Sequence, residues 1–174
     1  MHIALISLSL GAAAAASASA QIPYVTKHFA SSTETCAVLQ TAYIAALRHR
    51  TVTYPQDVRS DTRVLDLAKF VPEYRAKLAL SAREFDHLIE QEPQFSFPNF
   101  KPNCAWRGIP GPSVDADGHA TFVTFTSPVF SADRRLTILE VSFREAGMFA
   151  YGMICVVRQQ QRTWQGKCQN SWIT

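Results

Sequence analysis

From residue 119 onward, four segments are rich in β-branched and aromatic residues: HATFVTFTSPVF, RLTILEVSF, MFAYGMICVV and TWQGKCQNSWI. Only short polar connections separate them, at Ala132-Asp133-Arg134, Glu145-Ala146-Gly147 and Gln160-Gln161-Arg162. Connections this short join antiparallel neighbours, because a parallel pair needs a crossover of about a dozen residues. Residues 119–174 are therefore expected to form a four-stranded antiparallel meander. Pro128 cannot donate to a ladder and marks an edge position or a bulge.

The last segment carries a second constraint. Trp164, Gly166, Cys168, Asn170 and Trp172 alternate with polar neighbours, and the set holding both tryptophans is expected to face the core. A turn centred on Gln161-Arg162 sets Cys155 opposite Cys168. Directly opposed residues have Cβ atoms about 4.5–5.5 Å apart, near disulfide reach. A turn one residue earlier sets Gly166 there instead. With Cys155 and Cys168 joined, Cys36 pairs with Cys104. A rival arrangement joins Cys36 to one of the strand cysteines. All four are disulfide candidates. No C-x₂₋₄-C or H-x₃₋₅-H spacing suggests a metal, and no C-x-x-C suggests dithiol redox chemistry. His28, His49, His87 and His119 are scattered.

Upstream the pattern is helical. Ser31 and Glu34 stand at capping-box spacing ahead of a helix with Cys36, Leu39, Tyr43, Ala46 and Leu47 on one face, ending near Arg48 and Arg50. Pro72 suits the first turn of a helix running to about Leu80. Ser81 and Glu84 form a second capping box, opening a helix expected to stop before Pro93. The helical part thus spans about 31–92, and the proline- and glycine-rich stretch 94–118 reads as a long ordered loop. Helices first and strands afterwards argue an α+β fold, with the helices on one face of the sheet.

The first twenty residues read MHIALISLSLGAAAAASASA, an apolar run ending in Ala18-Ser19-Ala20, the small-x-small pattern of a signal-peptidase site. Residues 1–20 are expected to be a signal peptide, and 21–174 one periplasmic or secreted domain with no membrane span. A hydrophobic content of 47% with 18% charged residues is ordinary for a globular fold. A net charge of +3 gives no ground for expecting nucleic acid.

Chemistry-bearing patterns are few. The NCAWRG stretch at Cys104 is similar to the Cys-Trp segment of papain-like proteases, with His119 downstream. A reactive thiol there opens a helix, however, and AWRGIPGP cannot form a long one. REFDHLIEQE places Glu84, Asp86, His87, Glu90 and Glu92 on one helix, where they could serve acid–base work or simply meet solvent. DADGH, from Asp115, lacks the spacing of an EF-hand loop and reads as a polar turn. One constellation depends on topology. In a meander the first and third turns share an end, which would gather Arg134, Arg135, Arg158 and Arg162 into a contact surface for an anion or an acidic partner.

The stretch SPVFSADRRLTILEVSF and the closing W…SWIT resemble a pattern of small exported bacterial proteins of unknown function. That resemblance implies an exported setting and a fold, and no catalytic residues. A helix followed by a curved antiparallel sheet is also similar to the cystatin-like and nuclear-transport-factor-like architectures. The sequence thus leads to an exported, disulfide-stabilised, non-catalytic domain that binds a protein or small ligand, without cofactor or metal. The alternative is a periplasmic hydrolase-type enzyme using Cys104 or the His87 region.

Overall fold

The computed structural model describes residues 29–47, 51–114, 120–145 and 149–173. The expected leader, His28, Arg48, His49, Arg50, the Asp115–His119 stretch and Ala146-Gly147 lie outside them.

The fold is α+β, built on a mixed six-stranded sheet. Helix α1 spans Thr33–Leu47, the one-turn helix α2 Pro72–Arg75, and α3 Ala82–Phe95. The strands are β1 (Val58–Arg59), β2 (Thr121–Phe125), β3 (Val129–Phe130), β4 (Leu136–Glu145), β5 (Ala150–Gln160) and β6 (Thr163–Ile173), with the sheet running β1-β2-β4-β5-β6 and β3 also paired to β4. The expected meander is present as β2/β3-β4-β5-β6. Its first strand is broken in two around Thr126-Ser127-Pro128, as the proline's missing donor suggested. The expectation of four strands, all antiparallel, fails at β1, which pairs parallel with β2 through Val58↔Val123 and Arg59↔Thr124. Two residues are too few to leave a period-2 signature, so this strand is legible only from its partner.

Helices cover both faces of the sheet, rather than the one expected. On one face Leu139, Val141, Met153, Cys155 and Val157 pack with Val38, Leu39, Ala42 and Tyr43 of α1. On the other, Leu136, Ile138, Ile154 and Val156 pack with Phe85 and Leu88 of α3 and with Leu65, Leu67 and Leu78. Alternation in β4 and β5 therefore sorts two apolar sets onto two cores.

Local chemistry explains the element ends, with some shifts from the sequence reading. The first cap is Ser32, one residue later than expected: its Oγ accepts from the Thr35 N–H at 3.1 Å. Glu34 turns away to pair with Arg134. The Ser81–Glu84 capping box forms as expected. The expected helix from Pro72 to Leu80 shortens to Pro72–Arg75. Helix α3 runs through Pro93 to Phe95, because Phe95 inserts among Phe29 and Phe130 (ring centroids 5.7 and 5.6 Å) and this packing offsets the lost N–H.

The final hairpin turns on Gln161 and Arg162, both at positive φ (46° and 71°), the twist a two-residue β-turn requires. Cys155 therefore faces Cys168, and the two form a disulfide; Cys36 and Cys104 form the other, tying α1 to the proline-rich loop. The rival pairings of Cys36 are ruled out. One expectation about this strand does not survive. Gly152 pairs with Trp172 and Met153 with Asn170, so Ser171 is an extra residue and the strand bulges. Trp164 stays on the α1 side, while Trp172 is carried to the opposite face. There it lies over Gly152, where a Cβ would come within 2.2 Å of the indole nitrogen.

Candidate functional site

The arginines of the first and third turns share one end of the sheet, as the topology requires. Gln159 N–H donates to the Arg135 carbonyl at 2.8 Å, bringing the two turns together. The four guanidinium groups are nevertheless divided among different tasks. Arg134, at a φ of 57°, reaches across the α1 face to Glu34 and lies 4.4 Å over the Phe130 ring. Arg158 points to the other face, where it binds Glu84 at 2.5 Å and the Ala79 carbonyl at 2.6 Å. Arg135 and Arg162 are exposed and make no ion pair among the described residues.

On the α3 side this end opens into a cleft of about 570 Å³. One wall is the outer face of α3, with Glu84, His87 and Glu90; the other is the turn Ser131–Arg135, and Arg158 with Gln159 closes the floor. The fold therefore brings together two sequence candidates that looked independent, the His87 region and part of the arginine group. Each wall has its own support. The capping box holds the first turn of α3, and Asp133 accepts from Ser131 Oγ at 2.6 Å and from Arg135 N–H at 3.1 Å, fixing the turn. Hydrogen bonds from Arg158, then Ser81, pull the Glu84 carboxyl down to about 2, so it stays ionised. His87 and Glu90 are exposed and make no ion pair among the described residues. The exposed Arg135 guanidinium makes none within ion-pair distance but, after the Ser131 hydroxyl and the Arg135 N–H, helps hold the Asp133 carboxyl below its usual range.

The catalytic candidates fare differently. The Cys104 sulfur is bonded to Cys36 and offers no thiolate. Among the described residues, no group of three or more histidine, cysteine, aspartate or glutamate side chains is placed to hold a metal ion.

Two features escaped the sequence reading. The first is a polar cluster on the face of the sheet reached by Trp172. Asp61 and Glu140 are 4% and 7% exposed, and Arg63 bridges them at 2.6 and 2.5 Å. Thr124 Oγ1 donates to Asp61 at 2.7 Å, and Trp172 Nε1 donates to Glu140 at 2.9 Å. Burial alone would raise the Asp61 carboxyl, yet its hydrogen bonds from Arg63 and Thr124 hold it below the usual range. Glu140 sits in the alternating run LTILEVSF, where an acid at a core-facing position was the available signal. The second feature is an aromatic pocket at the far end of β4 and β5, lined by Tyr43, Phe143 and Tyr151. Its residues come from separate elements and share no local motif.

No family model, curated protein or solved structure matches this chain.

Proposed function

We propose that this chain is an exported, disulfide-stabilised binding domain that takes a polar, charged segment of a partner protein in the cleft between α3 and the turn Ser131–Arg135. The observation that carries this reading is the set of exposed polar and charged side chains without an ion pair, His87, Glu90 and Arg135, gathered from two elements around one cleft. Groups left without internal partners on supported elements are available to an external one. The mixture of charges favours a segment bearing both signs over a simple anion. Export is supported by the leader pattern and by two disulfides, which persist in oxidising compartments. Among the described residues, no helix is long and apolar enough to cross a membrane.

The test is photo-crosslinking from Ala132 in the exported fraction, followed by affinity measurement on the captured partner. Charge reversal by Arg135→Glu should weaken that partner about tenfold or more, with an effect that shrinks at high salt. Unchanged affinity in Arg135→Glu would remove the cleft from consideration.

A further inference from the structure

The two edges of the sheet are guarded unequally. β1 forms one edge with two residues, whereas β6 forms the other with eleven, Thr163–Ile173. An edge strand presents a row of unpaired N–H and C=O groups, and natural sheets keep such rows short, bent, charged or covered. The register shows which groups of β6 face outward. Cys155 and Cys168 lie 4.1 Å apart at Cα, the close spacing of a non-hydrogen-bonded pair, so the Cys168 N–H and C=O point away from β5. The ladder alternates, so those of Trp164, Gly166 and Asn170 do the same. Among the described residues, nothing bonds to these outward backbone groups. The bulge at Ser171 disturbs only the far end and leaves Thr163 to Asn170 in regular register.

The charge beside this edge has one sign. From Arg162 to Ile173 the chain holds no aspartate or glutamate. Arg162, at the turn, and Lys167, on the α3 side, are exposed and make no ion pair among the described residues. A shallow concavity of about 150 Å³ lies beside Lys167, lined also by Ala79, Val156 and Gly166. A cation at the middle of the edge works against a second copy, since two-fold pairing centred there would set two ammonium groups face to face. The same cation favours a strand that carries a carboxylate at that point.

We propose that β6 accepts an extended, acidic segment of a partner protein as an added strand. The outward backbone groups of Trp164, Gly166 and Cys168 supply the main-chain bonds, and an acidic side chain of the segment lies beside Lys167. Arg158 lines both this concavity and the cleft on α3, but the edge takes its partner through the main chain, and the proposal stands or falls separately from the cleft.

The experiment is an NMR titration of the intact, oxidised, nitrogen-15-labelled chain with the acetylated, amidated peptide TVEVEVT and with its basic counterpart TVKVKVT. The acidic peptide should bind about fivefold more tightly, the worth of a favourable cross-strand charge pair. Lys167→Glu should reverse that preference. Bound acidic peptide should slow exchange of the Gly166 and Cys168 amides, which point outward, and change the Lys167 amide little, because it faces β5. The same peptide N-methylated throughout, which cannot donate to an edge, should not bind. Arg135→Glu, in the cleft, should leave the acidic peptide's affinity alone. Absence of binding, equal affinity for the two peptides, full binding of the N-methylated peptide or a loss in Arg135→Glu would each overturn the proposal. So would Gly166 and Cys168 amides already protected in the free chain, or dimerisation through β6.

Discussion

The two faces of the central sheet are closed by different means. On the α1 face the strands meet aliphatic and aromatic side chains, and two disulfides lock the arrangement: Cys155–Cys168 within the hairpin and Cys36–Cys104 from α1 to the loop. The Ala42 carbonyl lies against both hairpin sulfurs, 3.8 Å from Cys155 and 3.6 Å from Cys168, so α1 rests directly on the staple. The opposite face is only half apolar. Leu136, Ile138, Ile154 and Val156 cover one end; at the other, Glu140 and Ser142 of β4 meet Arg63, Asp61 and Trp172. The same strand thus contributes a covalently braced core on one side and an ionic one on the other. A face closed by crosslinks draws its stability from the restricted unfolded chain and is indifferent to pH. A face closed by buried charge depends on every partner staying ionised and in place.

This contrast can be broken most forcefully on the covalent side. Replacing Cys36 and Cys104 together by alanine should cost about 4 kcal/mol, as loop-entropy models give for a bridge spanning 68 residues, with the loss nearly independent of pH between 4 and 8. Denaturant unfolding of the double variant measures it; a loss under 1 kcal/mol would mean that packing alone holds the loop on α1.

A smaller effect is expected on the ionic face. Arg63→Met leaves Asp61 and Glu140 buried without their cation and should cost about 3 kcal/mol, toward the low end for such pairs because Arg63 keeps 34% of its side chain in solvent. Buried carboxylates without a counter-charge bind protons more readily. Part of the loss should therefore return on acidification, a sign opposite to wild type. A deficit that stays constant with pH would show that Arg63 contributes packing over Trp172 rather than charge.

The smallest expected change is the acid response of the wild-type chain. Asp61 and Glu84 both titrate below their unfolded values in the folded state, so each contributes stability above the unfolded pKa and loses it as pH falls through the folded one. For Glu84 the window runs from 4.5 down to about 2. The Arg158 partner sits near the surface, so Arg158→Gln should cost under about 1 kcal/mol and flatten the stability curve in that window. Melting temperatures recorded from pH 5 to pH 2 distinguish the two curves.

Where the sequence reading succeeded, the deciding information was local. The Ser81–Glu84 cap involves residues three apart, and of the two turns the sequence left open, one residue apart, the one at Gln161-Arg162 forms and sets Cys155 against Cys168. Where it failed, a distant partner had changed the local preference. Glu34 left its cap for Arg134, one hundred residues away. Pro93 stayed helical because Phe95 found an aromatic cluster. The bulge at Ser171 moved Trp172 off the face that strict alternation assigned to it, and so completed the Glu140 cluster. The cleft was half legible: His87 and the arginines were each noticed, but nothing in a linear chain says that α3 lies beside the first turn.

By itself, then, the sequence determined the α+β class, the β2–β6 ribbon, a choice of two hairpin registers and the set of cysteines available for bridging, because periodicity, turn chemistry and short connections act over a few residues. Tertiary structure alone decided the parallel β1 strand, the second helical layer, the Asp61–Arg63–Glu140 cluster, the Tyr43 pocket and the partner of Cys36. Each of these joins segments far apart in the chain. Such a union is set by which surfaces can be buried together with most of the polar groups they carry paired.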